Sequence, residues 1–174
     1  MKPISSIFLA LTMVTATMAL ASVGTAKQAA PAAHAGSSGL PTPRFVSLSA
    51  EIVNMRAGPG VRYPITWVYR RVGVPLMVMA EFDYWRKGRD ADGTEGWMHR
   101  SLLSGRRMAV LRTDVGELRK APKGDAPVIL RAEAGVMGKL LACQGAWCQM
   151  ELNEIRAWLP RADIFGALPN EQFQ

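Results

Sequence analysis

The stretch VNMRAGPGVRYP, Val53 to Pro64, is the part of the sequence that decides the fold. An alternating segment runs into Gly-Pro-Gly at 58–60, and a Tyr-Pro step follows. A phosphate-binding loop also uses glycines, but it needs a Lys and a Ser or Thr directly after them, and Val-Arg-Tyr stands there instead. We therefore interpret the stretch as a long loop in which the glycines adopt positive φ and Pro59 holds its φ near about −65°.

Two diverged copies of one module follow each other in the 174-residue chain. Residues of the same kind recur at an offset that drifts between 61 and 63 positions. The matched pairs are Met55 with Leu118, Arg56 with Arg119, Pro64 with Pro127, Gly73 with Gly135, Trp85 with Trp147, Trp97 with Trp158, Arg100 with Arg161, and Gly105 with Gly166. The repeat predicts two small domains, at residues 45–105 and 108–168.

Short strands make up each copy. The segment PLMVMAEF at 75–82 is apolar and bounded by turn residues, and EGWMHR at 95–100 follows the turn of 90–93. Outside the N-terminal segment, no window carries a long apolar run at helical spacing. Several strands in about 60 residues favour a small all-β barrel, which closes on itself and so removes exposed edges. A module of this size buries only about 60% of its unfolded surface, so we expect the two copies to dock.

The first copy resembles the bacterial SH3-like (SH3b) domain over nearly all of residues 45–105. The resemblance rests on VNMRAGPGVRYP, then Gly73, Trp85 and GWMHRSLL. It implies an SH3-like barrel of five or six strands in secreted and envelope proteins of bacteria, usually a non-catalytic binding or targeting module and often linked to the cell wall. We therefore expect an all-β protein of two tandem small SH3-like barrels behind a signal peptide and a flexible linker.

The second copy departs from this pattern. It lacks Gly-Pro-Gly and has Ala126 where the first copy has Tyr63. Ala157 and Pro160 replace the Gly and His of the closing segment. The resemblance therefore assigns no ligand site to the second copy.

The N-terminus reads as a secretory signal peptide. A short positive start precedes an apolar run at 7–20, and Ala19-Leu20-Ala21 is a small-x-small exit. We predict a signal peptide at 1–21, or alternatively at 1–26, and a periplasmic or secreted mature chain with no integral membrane segment, since a span needs about 20 strongly apolar residues. Residues 22–44 are rich in Ala, Pro, Gly and Ser, so we predict a disordered linker.

The formal charge of +7 does not indicate a nucleic-acid partner. Residues 45–105 carry eight Lys/Arg against six Asp/Glu, and residues 108–174 carry eight against eight. Nucleic-acid surfaces cluster positive charge on a folded face, whereas here the excess lies mostly outside the two copies. We expect the Arg106-Arg107 pair between the copies to be a solvated linker feature.

Catalytic, metal and cofactor sites find little support. The chain has two histidines, His34 in the predicted linker and His99. Cys143 and Cys148 with His99 fall short of the four ligands of a closed zinc site, and no third group orients a Cys–His pair. We expect no catalytic residue, no metal and no cofactor.

The aromatic residues divide into two groups. Trp85, Trp97, Trp147 and Trp158 occupy repeated positions and are expected to be structural. Trp67 has no counterpart in the second copy, so we predict that Trp67, with Tyr63 and Tyr69, faces a ligand. The alternative is that Trp67 packs against the other copy.

The segment ACQGAWCQ predicts a disulfide. It aligns with a strand, a turn and a strand of the first copy, and a hairpin loop of four residues would set Cys143 and Cys148 directly opposite each other. Export supplies an oxidising compartment. The alternatives are two free buried thiols or a redox-active pair, and the C-x4-C spacing disfavours the latter.

These observations predict an exported, non-catalytic binding or scaffolding protein of the bacterial cell envelope. Its leading ligand is cell-wall peptide or glycan, a class that the family resemblance supplies. The alternative is a periplasmic adaptor that binds a peptide segment of an envelope protein.

Overall fold

The computed structural model describes residues 34–173. The predicted signal peptide, at 1–21 or 1–26, and residues 22–33 of the predicted linker lie outside the described residues. The described chain is almost entirely β-structure, arranged as two seven-stranded sheets and one two-stranded hairpin.

The first barrel follows a short hairpin. The hairpin consists of β1 (His34–Ala35) and β2 (Pro41–Thr42). The strands of the barrel are β3 (Arg44–Leu48), β4 (Val53–Arg56), β5 (Ile65–Tyr69), β6 (Pro75–Phe82), β7 (Trp85–Arg89), β8 (Glu95–His99) and β9 (Leu103–Ser104). A 3-10 helix, Arg100–Leu102, leads from β8 into β9.

The second barrel repeats this plan. Its strands are β10 (Met108–Leu111), β11 (Val115–Arg119), β12 (Val128–Glu133), β13 (Met137–Gln144), β14 (Trp147–Leu152), β15 (Ile155–Pro160) and β16 (Ile164–Phe165). A 3-10 helix, Arg161–Asp163, again precedes the last strand.

The two sheets have the same strand order. The first runs β5-β4-β8-β7-β6-β3-β9 and the second β12-β11-β15-β14-β13-β10-β16, so every strand has its equivalent in the other barrel. Gly73 and Gly135 both have a φ of 83° at the turn before the long central strand, a conformation that costs glycine little. The prediction of two tandem all-β modules is confirmed.

Each interior is filled by alternate residues of the strands, as the pleat of a sheet requires. In β4, Val53 and Met55 are fully buried while Asn54 and Arg56 face outward. The buried cluster of the first barrel is Leu48, Val53, Met55, Tyr69, Leu76 and Met98. That of the second is Ala109, Leu111, Leu118, Leu140, Cys143, Cys148, Met150, Leu152, Ala157, Leu159 and Ile164.

The loop of residues 57–64 is held by its own backbone and by one arginine. Ala57 N–H donates to Pro64 O at 3.0 Å, and Arg56 Nη1 donates to Tyr63 O at 2.8 Å. We predicted positive φ at the loop glycines, and this prediction is wrong, because neither Gly58 nor Gly60 has a positive φ. A Cβ at Gly58 would instead lie 2.5 Å from the Tyr63 ring, so glycine is needed there to let the ring pack.

The corresponding loop of the second barrel has the same hydrogen bonds without Gly-Pro-Gly. Lys120 N–H donates to Pro127 O at 3.0 Å, and Arg119 Nη1 donates to Ala126 O at 2.8 Å. Ala121 stands where Gly58 stands in the first barrel. With Ala126 in place of Tyr63, no ring needs that space, and the loop keeps its path.

The predicted disulfide is confirmed. Cys143 and Cys148 lie directly opposite each other on β13 and β14, with Cα atoms 4.1 Å apart, and their sulfurs are bonded. Gln144 and Trp147 also pair, so the turn itself is only Gly145-Ala146, shorter than the predicted loop of four residues. Because both sulfurs are bonded to each other, neither cysteine offers a thiolate to a metal or a substrate.

The first barrel has an ion pair at this same cross-strand position. Glu81 of β6 pairs with Arg86 of β7, and Arg86 Nε lies 3.0 Å from Glu81 Oε1. Both side chains are buried. Burial alone would raise the pKa of Glu81, but hydrogen bonds from Ser38 and the Arg44 guanidinium outweigh it and lower the pKa to about 2.

The flexible linker predicted to reach residue 44 is wrong over residues 34–44. This segment folds into the β1–β2 hairpin and the start of β3, and Ser38 donates to Glu81 through its backbone N–H at 2.7 Å and its Oγ at 2.9 Å. Arg44 Nη2 lies 2.6 Å from the same carboxylate. The buried charge of Glu81 attracts these donors, and composition could not reveal that partner.

The two barrels contact each other through their first and last strands. Phe45 of β3 meets Phe165 of β16 edge-to-face with ring centroids 5.0 Å apart. Ser47 Oγ donates to Arg106 O at 2.5 Å. The copies are therefore docked, as expected from their size.

Arg107 is not the solvated linker residue that we predicted. It donates to Gly166 O at 2.7 Å, forms an ion pair with Glu171, and lies over the Phe173 ring at 4.6 Å. Arg106, by contrast, is exposed. Arg107 thus fixes the segment after β16 against the second barrel.

Candidate ligand-binding groove

The repeated tryptophans are not core residues. Trp85, Trp97, Trp147 and Trp158 are all half-buried, because they alternate with the inward-facing residues of β7, β8, β14 and β15. Arg86, Gly88 and Met98 are the buried neighbours in the first barrel. The prediction of a purely structural role therefore overlooked the sheet's outer face.

A groove of about 290 Å³ lies on that outer face of the first barrel. Its lining residues come from β4 and the residue before it, from β7 and β8, from the loop of residues 57–64, and from the 3-10 helix. The groove is lined by Ile52, Asn54, Arg56, Val61, Trp85, His99 and Leu102.

Aromatic side chains close one end of the groove. Trp85 meets His99 edge-to-face at 5.6 Å between ring centroids, and Tyr84 stacks on His99 at 6.0 Å. The Arg100 guanidinium lies over the Tyr84 ring at 4.7 Å. These contacts pack the imidazole against two aromatic rings and give this end of the groove a largely apolar surface.

Polar groups on the groove floor keep hydrogen-bonding capacity. Nδ1 of His99 is 2.7 Å from Ser101 Oγ, while Nε2 has no partner within residues 34–173. In the same range the Asn54 amide has no partner, and Arg56 uses only Nη1, on Val61 O and Tyr63 O. The groove thus combines an aromatic wall with an amide, an imidazole and a guanidinium that can bind a polar ligand.

The three residues predicted to face a ligand lie in three different settings. Tyr63 is half-buried on Gly58 at the back of the groove wall. Trp67 is 51% exposed on β5, outside the groove. The surface position predicted for Tyr69 is wrong, because Tyr69 is buried in the core and its hydroxyl donates to Asp90 Oδ2 at 2.8 Å.

The environment of Tyr69 fits a structural role. Burial, assisted by the hydrogen bond to Asp90, raises the pKa of Tyr69 well above its usual range. Asp90 Oδ1 in turn accepts from the backbone N–H groups of Asp92 and Thr94 and so shapes the turn before β8. The Trp67 ring packs edge-to-face on Tyr69 with centroids 6.4 Å apart.

Sequence reasoning missed Trp85, His99 and Asn54 as groove residues. The signal was present in the alternation of WRKGR and EGWMH, which sends Trp85 and His99 to the face opposite Met98. Residues 85 and 99 are also direct cross-strand partners. The sequence alone does not give the register between β7 and β8, so it could not show that these two residues are neighbours.

The second barrel has different residues at the positions that line the groove. Its counterparts to His99, Leu102 and Val61 are Pro160, Asp163 and Gly124. The counterpart of Asn54 is a glutamate, and it forms ion pairs with two arginines of the same face, Glu117 with Arg119 and Arg131. An ion-paired carboxylate thus stands in the second barrel where the first has the free Asn54 amide.

Residues 34–173 hold no group of three or more His, Cys, Asp or Glu side chains arranged to bind a metal ion. The same residues include no helix long and apolar enough to cross a membrane.

Comparison with known families agrees with this architecture. The model of the bacterial SH3 domain matches the chain twice, at residues 49–105 and 113–166, which together are more than half of it. The chain belongs to the bacterial SH3 domain family. Its two barrels are the two matched domains.

Similar solved structures include two proteins of Trichomonas vaginalis. NlpC2 is 8% identical with a TM-score of 0.33 over 71% of this chain, and NlpC1 is 9% identical with a TM-score of 0.33 over 75%. The match covers 48% of each of those chains, so this chain spans about half their length. No curated protein sequence matches the chain.

Proposed function

We propose that this protein is an exported, non-catalytic binding protein of the bacterial cell envelope, and that the groove of its first barrel binds cell-wall peptide or glycan. The observation that carries the proposal is the Trp85–His99 wall beside the unpartnered Asn54 amide and the Arg56 guanidinium, of which only Nη1 is hydrogen-bonded. A sugar ring or a peptide backbone stacks on the aromatic wall, and its hydroxyls, amides or carboxylate bind the polar floor.

Export is part of the proposal. The disulfide supports it, because such bonds persist in oxidising compartments. N-terminal sequencing of the protein from a periplasmic fraction should find Ser22, or alternatively Lys27, as the first residue. An intact Met1 in a cytoplasmic pool would contradict export.

Sedimentation with purified cell-wall sacculi tests the ligand class. The wild-type protein should pellet with sacculi, and the double variant Asn54→Ala, His99→Ala should stay in the supernatant. The matched control is the equivalent pair in the second barrel, Glu117→Ala with Pro160→Ala, which should pellet like the wild type. Circular dichroism of each variant verifies folding, and equal pelleting of all three proteins would contradict a role for the groove.

A second candidate function is a protein-interaction adaptor in the envelope. The exposed apolar strand β5 favours it, because such a surface suits a protein partner better than a glycan. The protein would then remain in the supernatant with sacculi and be retained by an envelope protein.

A further inference from the structure

Strand β5 presents an open edge. It is the terminal strand of the first sheet, and within residues 34–173 only β4 pairs with it. Four consecutive residues from Ile65 to Val68 are exposed, and among them Trp67 is 51% exposed. Long, apolar, unpaired edges are uncommon on monomeric proteins, which normally cover or charge them. We call Ile65–Tyr69 the β5 edge.

Positive charge flanks the β5 edge on both sides. Arg62 precedes it, and Arg70 and Arg71 follow it directly. All three are exposed, and none forms an ion pair or a hydrogen bond with another described residue through its side chain. The strand therefore ends in cations that have no anion of their own.

The equivalent edge of the second barrel is built differently. The residues of β12 alternate between half-buried and exposed, and Leu130 replaces Trp67. Arg131 is held by Glu117 at 3.1 Å, and Glu133 takes the place of Arg70. The free cations and the exposed tryptophan are thus specific to the first barrel and do not belong to the shared frame.

These features select one kind of occupant. An open backbone edge accepts an extended segment by strand addition, while side chains on alternate positions set the specificity. Pairing with the same edge of a second copy would bring two sets of three arginines together, which opposes self-association. We propose that the β5 edge binds an extended segment of a partner protein that alternates apolar and acidic residues.

The partner segment would add a strand beside β5. Its apolar side chains would cover Ile65, Trp67 or Val68, and its carboxylates would bind Arg62, Arg70 and Arg71. The proposal rests on the second candidate function and not on the groove, so the sacculus experiment and the peptide experiment below can fail separately.

A synthetic peptide tests the proposal. An acetylated, amidated peptide of about ten residues that alternates Glu and Val is titrated into the mature protein, and binding is followed by calorimetry and by amide NMR shifts. We expect saturable binding with the largest shifts in residues 65–69. Trp67→Ala should weaken the affinity about tenfold or more. Arg70→Gln with Arg71→Gln should weaken it at low salt, and this difference should shrink in 0.5 M salt.

Matched controls separate strand addition from other binding. Ile129→Ala with Arg131→Gln alters the equivalent edge of the second barrel and should leave the affinity unchanged. The same peptide with every second amide N-methylated should bind at least about tenfold more weakly, because it cannot form the ladder. A peptide that alternates Lys and Val should not bind.

Three results would overturn the proposal. One is no saturable binding of the Glu-Val peptide. Another is equal binding of the N-methylated peptide or of polyglutamate, which would leave a charge contact without strand addition. The third is recruitment to anionic phospholipid vesicles that depends on Trp67, Arg70 and Arg71 while the peptide does not compete, which would assign the edge to a membrane surface.

Discussion

The two barrels link the same pair of strands by different chemistry. At the end of the hairpin between the long central strand and the next, the first barrel has the Glu81–Arg86 ion pair and the second has the Cys143–Cys148 disulfide. Strand order, register and bulge position are otherwise the same on both sides. Both barrels thus link the same two strands at this position, one by an ion pair and the other by a covalent bond.

Removing one ion of the buried pair should have the largest effect on stability. Arg86→Ala removes the cross-strand partner of the Glu81 carboxylate, which keeps Arg44 and Ser38, and should lower the free energy of unfolding by about 3 kcal/mol. Arg89→Ala is the control, because its ion pair with Glu95 is exposed to solvent and should contribute much less to stability. Urea denaturation of the two variants measures both, and equal losses would show that burial of the pair is unimportant.

Acid should weaken the first barrel through the same carboxylate. The pKa of Glu81 lies near 2 in the folded chain and near 4.5 when unfolded, so its contribution is complete above about pH 4.5 and is lost as pH falls towards 2. The whole contribution is on the order of 3 kcal/mol. Stability measured across this window should fall less steeply in Glu81→Gln than in the wild type, and identical slopes would contradict the assignment.

Removing the disulfide should cost less than breaking the ion pair. A closed loop of six residues is expected to contribute on the order of 2 kcal/mol in the chain-entropy treatment. The Cys143→Ala, Cys148→Ala double variant should lose about that amount, as measured by denaturation under non-reducing conditions. Mass spectrometry of the wild type should show two hydrogens fewer than the dithiol, and alkylation before reduction would contradict the bond.

A smaller effect is expected in the loop of residues 57–64. Gly58→Ala forces the Tyr63 ring to move and should cost about 1–2 kcal/mol. The double variant Gly58→Ala, Tyr63→Ala reproduces the residues of the second barrel at 121 and 126, so most of the cost of the added methyl should disappear. A double-mutant cycle by thermal denaturation measures the coupling. Additive effects of the two substitutions would mean that the Tyr63 ring is not the reason for glycine at position 58.

The sequence predicted the fold well because the information was local and repeated. Turn glycines, strand patterns and the paired cysteines each act over a few residues, and the second copy shows the same order. Residues whose surroundings come from distant parts of the chain were predicted less well. Tyr69 was placed on the surface because its partner Asp90 lies 21 positions away. Arg107 was considered solvated because Glu171 lies 64 positions away.

The candidate site was harder to predict than the fold. Trp85 and His99 line the groove because they are opposite each other on neighbouring strands. Their repeated or family-typical positions had suggested a structural role instead. Trp67, which has no counterpart in the second copy, is exposed, and that it faces a ligand stays a prediction. Differences between the copies were a mixed guide to exposure, because Tyr69, which also differs between them, is buried.

The segments that flank the barrels limit how this chain can be divided. Arg44 and Arg107 occupy equivalent positions at the start of each barrel. Arg44 binds the Pro41 carbonyl and the Glu81 carboxylate, and Arg107 binds the Gly166 carbonyl and the Glu171 carboxylate. Residues 34–43 bring Ser38 to Glu81, and residues 166–173 bring Phe173 to the backbone of Cys143. The limits of sequence similarity, 49–105 and 113–166, are thus narrower than the units that fold. A barrel excised or transplanted at those limits would lose the flanking segments that bind it. The sequence repeat therefore suggests more independent domains than the folded structure supports.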